Sequence, residues 1–125
     1  KLNHEIAEII KKNNLNCNLE FILGDLSDLQ FLEFLFSKNN INIVFHAAAY
    51  KHVPLLEENI LYAVRNNIFN TLNLINIFLK NKVKNFTFIS TDKAVRSTNI
   101  MGLTKRFSEI ILQSYFEKFS SKNKL

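Results

Sequence analysis

The chain reads as an α/β fold built on a parallel sheet. Two observations carry that reading. Apolar residues recur at spacings of three and four in four separate stretches, the pattern of helices with one buried face. Between them lie three short runs, Leu19 to Leu23, Ile41 to His46 and Asn85 to Ser90, rich in β-branched, aromatic and other apolar residues, as buried strands are. The order is helix, strand, helix, strand, helix, strand, helix. Such alternation implies parallel strands joined by right-handed crossovers.

Each element has its own local reason. In Lys1 to Lys12, Leu2, Ile6, Ile9 and Ile10 make one stripe, and the Asn-rich stretch from Asn13 ends the helix. Gly24 closes the first strand, Asp25 follows, and Ser27 is placed to cap a helix over Asp28 to Ser37 that turns Leu29, Leu32 and Phe36 inward. Asn39-Asn40 breaks it. After the strand at Ile41 come Ala47, Ala48 and Ala49, three small side chains that let a ligand approach the backbone, or serve tight helix packing. Tyr50 to Glu58 reads as a polar loop holding the only proline. Asn59 is placed to cap a long helix, Ile60 to Lys80, in which Leu61, Val64, Ile68, Leu72, Ile75 and Leu79 mark the buried side. Asn66 and Asn67 lie inside it, where Asn is a poor helix former, which hints at a task for one of them. The third strand leads to a loop ending near Thr98. A last helix, capped by Asn99 or Thr98, runs to about Lys118 on Leu103, Phe107, Ile110, Ile111 and Phe116, with a frayed polar tail from Ser120 to Leu125.

Composition narrows the function classes. A chain of 125 residues, 47% hydrophobic, supports one modest domain with a core. The net charge is +5, but the basic residues are dispersed and 18 asparagines point to a general Lys/Asn/Ile bias, so no nucleic-acid partner is expected. One cysteine, Cys17, allows no internal disulfide and fits a reducing, cytoplasmic setting. No apolar run is long enough for a membrane span, and no metal-ligand cluster is expected. A first residue other than Met and only two glycines suggest a fragment.

Chemistry concentrates at strand ends, where open α/β sheets bind ligands. After the third strand stand Ser90, Thr91, Asp92 and Lys93 in succession, and Lys105 shares a helical face with Met101.

At Phe45 to Pro54 (FHAAAYKHVP) and Ser90 to Arg106 (STDKAVRSTNIMGLTKR) the chain resembles the extended short-chain dehydrogenase/reductases that make nucleotide sugars, in the branch of UDP-N-acetylglucosamine 4,6-dehydratases and capsular-polysaccharide proteins. The resemblance implies the central part of a Rossmann-like doubly wound parallel sheet lacking the first strands and the substrate domain. Residues 1–125 would be a partial NAD(P)-binding domain, with the glycine-rich pyrophosphate loop outside them. By position, Asp25 and Leu26 match an adenine-contacting pair. Ala47, Ala48 and Ala49 match the stretch under the cofactor, with Ala47 also near the sugar. Lys51 matches a substrate-binding position, Asn67 the helix asparagine of the active-site tetrad, and Lys105 the lysine on the nicotinamide ribose; Ser90 falls in the cofactor-binding set. Met101 stands where most relatives have the catalytic tyrosine, as in the longer, membrane-anchored members of this branch, so an anchor in the parent is compatible.

The reaction so implied oxidises carbon 4 of a UDP-sugar, eliminates water across carbons 5 and 6, and returns the hydride to carbon 6, with tightly held NAD or NADP recycled. Lys93 is the expected base at carbon 5, its pKa lowered by burial and by Lys105. Asp92 is the expected acid, and also takes the 4-hydroxyl proton because Met101 cannot. Thr91 orients the 4-oxygen. The fragment alone would be inactive, and the parent a homo-oligomer. Two alternatives remain: a 4-epimerase or reductase on the same fold, and a non-catalytic NAD-binding remnant. The resemblance also implies that the strands at Ile41 and Asn85 are direct neighbours. The Leu19 strand, separated from them by absent strands, would stay unpaired or close onto Ile41.

Overall fold

The computed structural model describes residues 2–122, with side chains from Glu5 to Lys118. Its elements are α1 (Leu2–Lys12), α2 (Leu29–Lys38), β1 (Ile43–His46), α3 (Val53–Glu58), α4 (Ile60–Val64), a π-helical segment (Arg65–Phe69), α5 (Asn70–Lys80), β2 (Asn85–Phe88), a 3-10 turn (Asp92–Ala94) and α6 (Ile100–Lys122). Leu2 of the expected α1 stripe and the tail residues 123–125 lie outside the described side chains. Ser120 to Lys122, expected in the frayed tail, continue α6.

Local chemistry explains the boundaries. Asn14 takes the left-handed conformation (φ 50°) that ends α1, a conformation Asn tolerates better than most residues. Ser27 does not cap α2. Its own N–H is bound by Asp25 Oδ1 at 2.8 Å, which places Ser27 inside a turn, and Asp28 caps instead, accepting from the Phe31 N–H at 2.9 Å. The expected loop from Tyr50 to Glu58 contains a helix, α3. Pro54 sits in its first turn, where a missing N–H has no intrahelical acceptor to lose and a fixed φ favours the helix. Asn59 stands at the start of α4 but its amide donates backward to Leu55 O at 2.9 Å, so it finishes α3 rather than capping α4. Asn99 does cap α6, its Oδ1 accepting from the Gly102 N–H at 2.8 Å.

β1 and β2 pair in parallel, Ile43 opposite Asn85 and His46 opposite Phe88. The direct neighbours expected from the resemblance are therefore neighbours. Both strands are shorter than the sequence pattern, because Ile41, Asn42, Ile89 and Ser90 fall outside the ladder. Leu19 to Leu23 is extended, but among the described residues it joins no sheet, the unpaired outcome of the two foreseen. A cleft of about 380 Å³ separates it from β1, lined by Ile22, Gly24, Ile43, Phe45 and residues of α2.

One face of the sheet is covered and the other is bare. Leu32 and Phe36 of α2 meet Leu74, Ile77 and Phe78 of α5, with Val44 and Phe86 packed on them. Phe78, Phe86 and Phe116 form an aromatic cluster with centroids 5.2–6.3 Å apart. On the opposite face Phe45 is 71% exposed.

Faces of α2, α4 and α6 differ from the periodicity. Leu29, Leu61, Leu103, Phe107 and Ile110 are exposed, and the packed seams carry Ala63, Asn67, Thr71, Thr104 and Ser108 instead. At the seam between the Asn67 helix and α6 the reason is steric: helices joined by hydrogen bonds through Asn67 must approach closely, and only small side chains allow that.

His46 is the buried titratable group of this core. It is 2% exposed, its Nε2 lies 2.8 Å from Thr71 Oγ1, and Phe86 and Phe88 flank its ring. Since Thr71 donates its hydroxyl hydrogen to Asn67 O at 2.7 Å, the imidazole must be the donor at Nε2. Burial, with the Lys105 charge nearby, lowers its pKa to about 4 from 6.5.

Two outcomes are expected. His46 is neutral when folded and protonates more readily when unfolded. Its contribution is therefore intact above pH 6.5, declines as pH falls toward about 4, and totals on the order of 3 kcal/mol. Urea unfolding at pH 7 and pH 5 should show this loss, and His46→Gln should flatten it. Separately, a Cβ at Gly102 would lie 2.3 Å from the Lys93 carbonyl oxygen. Gly102→Ala should cost about 1–3 kcal/mol by forcing the loop off the helix, read as a lower urea midpoint with shifted amide resonances at Lys93.

Candidate functional site

The register of the two strands creates the site. Because His46 and Phe88 end the ladder side by side, Ala47 and Ile89 leave the sheet together, and the Ile89 N–H still reaches His46 O at 3.0 Å. The chain then diverges into two polar segments, Ala47 to His52 and Ser90 to Ser97, at the carboxyl end of parallel strands.

The first segment is held by Asn67. Its Oδ1 accepts from the Tyr50 N–H at 2.7 Å, and its Nδ2 donates to Tyr50 O at 3.1 Å and to Thr104 Oγ1 at 3.0 Å. Acceptor and both amide hydrogens are used, which a buried amide needs. The π segment makes this possible. One extra residue in the turn, marked by the Asn70 N–H bonding to Arg65 O, accompanies the inward placement of Asn67, and its carbonyl accepts the hydroxyls of Thr71 and Ser108. Two interior asparagines were thus a true signal, although the π turn itself had none.

The second segment folds on its own carboxylate. Thr91 Oγ1 donates to Asp92 Oδ1 at 3.0 Å, and the Lys93 N–H reaches the same oxygen at 3.0 Å. The Thr91 hydroxyl, then the Lys93 charge, hold Asp92 below the usual carboxylate range. Lys93 Nζ stands 3.7 Å from Asp92 Oδ1, with side chains 51% and 89% exposed respectively. Lys93 is therefore not buried, contrary to expectation. The lysine that burial acts on is Lys105, whose pKa is lowered by desolvation and partly restored by Glu109.

Lys105 reaches across the end of β2. Its Nζ donates to Ile89 O at 2.6 Å and lies 4.1 Å from the centroid of the Phe88 ring. Met101, one turn earlier, is buried with Leu56 and Ala63 in an apolar cluster, where its side chain packs rather than exchanges protons. α6 is steered from outside as well, since Glu57 Oε1 of α3 accepts the Ile100 N–H at 2.7 Å. The sequence offered no sign of Glu57, because the contact crosses 43 residues.

Lys51 is exposed and borders a largely apolar cleft of about 550 Å³ with Tyr50, His52, Leu55 and Tyr62. Asp25 and Leu26 lie before α2. The backbone and side chain of Ser27 hold the Asp25 carboxyl below its ordinary value, and Leu26 O accepts from Asn73 Nδ2 at 3.2 Å. The structure thus joins Ala47–Ala49, Asn67, Ser90–Lys93, Met101 and Lys105 around adjoining strand ends. No contact ties Asp25 or Lys51 directly to the Asp92–Lys93 pair. No helix among the described residues is long and apolar enough to cross a membrane.

The chain is similar to several known proteins. Over 74 residues the chain is 51% identical to the capsular polysaccharide biosynthesis protein CapD of Staphylococcus aureus, covering 59% of this chain and 12% of that one. Over 96 residues it is 36% identical to a UDP-N-acetylglucosamine 4,6-dehydratase (inverting) of Campylobacter jejuni, covering 77% and 28%. The chain thus spans well under a third of either relative. Among solved structures, the UDP-glucose 4-epimerase of Bifidobacterium longum in complex with NAD+ and UDP superposes with a TM-score of 0.76 at 26% identity, over 83% of this chain and 36% of that one. These likenesses make the sheet part of a Rossmann-like fold. The family described as polysaccharide biosynthesis protein matches residues 1–125, end to end, and the chain belongs to that family.

Proposed function

We propose that this chain is the central part of the NAD(P)-binding domain of a nucleotide-sugar 4,6-dehydratase. The substrate is UDP-N-acetylglucosamine, and the product is a UDP-4-keto-6-deoxy sugar for surface polysaccharide or glycan synthesis. The observation that carries the reading is the junction of the Thr91–Asp92–Lys93 turn with the Met101–Lys105 turn of α6, made close by Gly102.

The residues present suit a dinucleotide. Small side chains at Ala47–Ala49 leave the strand end open, and Lys105 presents an ammonium beside it. The Asp25 carboxylate, outside the strand ends, would accept the adenine amine. When bound, the nicotinamide supplies reversible hydride transfer. Asn67 fixes the Ala47–Tyr50 backbone, and Lys105 would bind the ribose. Lys51, exposed beside its cleft, suits an acidic nucleotide sugar.

Proton handling follows from the protonation states. Asp92 is ionised, so it accepts the 4-hydroxyl proton as carbon 4 is oxidised, and thereby becomes the acid that the leaving 6-hydroxyl needs. The 4-ketone acidifies the hydrogen on carbon 5. Lys93, 3.7 Å from the Asp92 carboxylate, is the proposed base for that proton and returns it to carbon 5 as carbon 6 is reduced. Thr91 holds the 4-oxygen. Met101, where a tyrosine would otherwise exchange the first proton, leaves this task to Asp92. A 4-epimerase is the second reading, favoured by the structural likeness to one.

In the full-length protein, incubation with UDP-N-acetylglucosamine should give a product lighter by one water. A product of unchanged mass, epimeric at carbon 4, would establish the second reading instead. Asp92→Asn and Lys93→Ala should each lower turnover by about 10² to 10⁴-fold with cofactor still bound. Near-normal product from either variant would overturn the assignment.

A further inference from the structure

Glu109 belongs to none of the roles above, yet it touches the site from below. α6 presents Lys105 and Glu109 one turn apart on one face. Lys105 Nζ binds the Ile89 carbonyl at 2.6 Å, and Glu109 Oε1 accepts the hydroxyl hydrogen of Ser90, the next residue. Two successive residues at the end of β2 are therefore gripped by two successive turns of α6. The other carboxylate oxygen is held by Arg106 Nη1 at 2.8 Å, which fixes the rotamer.

We infer that Glu109 is a positioning residue of the candidate site: it fixes Ser90, the root of the Thr91–Lys93 turn, one helical turn from the lysine that holds Ile89. This rests on the proposed role of Lys105, but its geometry does not depend on which sugar reaction follows. Two effects combine in one carboxylate. The hydrogen bond to Ser90 sets where the chain leaves the sheet, so it sets the origin of the loop that carries Asp92. The negative charge offsets the desolvation of Lys105, raising a pKa that burial lowers. The titratable groups around Lys105 are Glu109 and Arg106 on its own helix, His46 on β1, and Asp92 and Lys93 in the turn packed on α6. Among these groups Glu109, itself paired with Arg106, is the carboxylate whose charge raises the Lys105 pKa.

Glu109 also titrates below its ordinary value, chiefly through the Ser90 hydrogen bond. The grip is therefore complete above that lowered midpoint and is lost as pH falls through it.

Glu109→Gln keeps the shape and an acceptor for Ser90 while removing the charge; Glu109→Ala removes both. In the full-length protein with labelled lysine, Glu109→Gln should lower the Lys105 titration midpoint followed by carbon NMR. Glu109→Ala should also shift the Ser90 and Thr91 amide resonances and lower kcat about 10- to 100-fold with a smaller change in KM. An unchanged Lys105 midpoint in Glu109→Gln overturns the inference. Should the variants fail to fold, the unsubstituted protein still tests it. Its Ser90 and Thr91 amides must move with the Glu109 carboxyl midpoint, and flat traces there overturn it equally. Absence of the dehydrated product in unsubstituted enzyme would instead count against the dehydratase reading alone.

Discussion

The three hydrogen bonds of the Asn67 side chain are the constraint on which the site depends. They tie the segment after β1 to the helix that follows it and to α6, which arrives 37 residues later. An amide in this position has no water to fall back on, so each lost partner leaves a buried polar atom unsatisfied at about 1–3 kcal/mol. The same requirement explains why the neighbours are Thr71, Thr104 and Ser108 rather than leucines. Their hydroxyls complete the network, and their small volume lets two helices come close enough for an amide to bridge them.

Around that network the parallel pair of strands acts as a ruler. Its register ends β1 and β2 at the same level, so one polar segment carries the alanines and the other the Thr91–Asp92–Lys93 turn. α6 then closes the arrangement from the side, aligned at its start by Asn99 and Glu57 and along its length by Lys105. Function would here be a matter of placing two short segments relative to one helix, with little demand on the remainder of the core.

Much of this was legible in the residues. The alternation of elements follows from periodicity, the clustering after Phe88 from the residues themselves, and the pairing of the Ile41 and Asn85 strands from the resemblance. The failures share a cause. Ser27 does not cap because the helix starts one residue later and the Asp28 carboxylate takes the Phe31 N–H, and Leu61, Leu103 and Phe107 were placed inward because periodicity counts apolar side chains without asking which face a hydrogen-bonding seam requires. Lys93 was expected in a buried setting on its company alone, whereas exposure depends on atoms far away in sequence. Glu57 and Glu109 were overlooked for the same reason. A charged residue on a helix looks like solvated surface until its tertiary partner is seen.

The approach of Gly102 to the Lys93 carbonyl has a mechanical side. With nothing but a hydrogen between them, the loop and the helix form a stop that works in one direction. α6 has no clearance to advance into the turn, but nothing in that contact resists withdrawal. Withdrawal is opposed elsewhere, by the bonds from Lys105 to Ile89 and from Ser90 to Glu109, so contact on one side and tethers on the other bracket the position of the strand end.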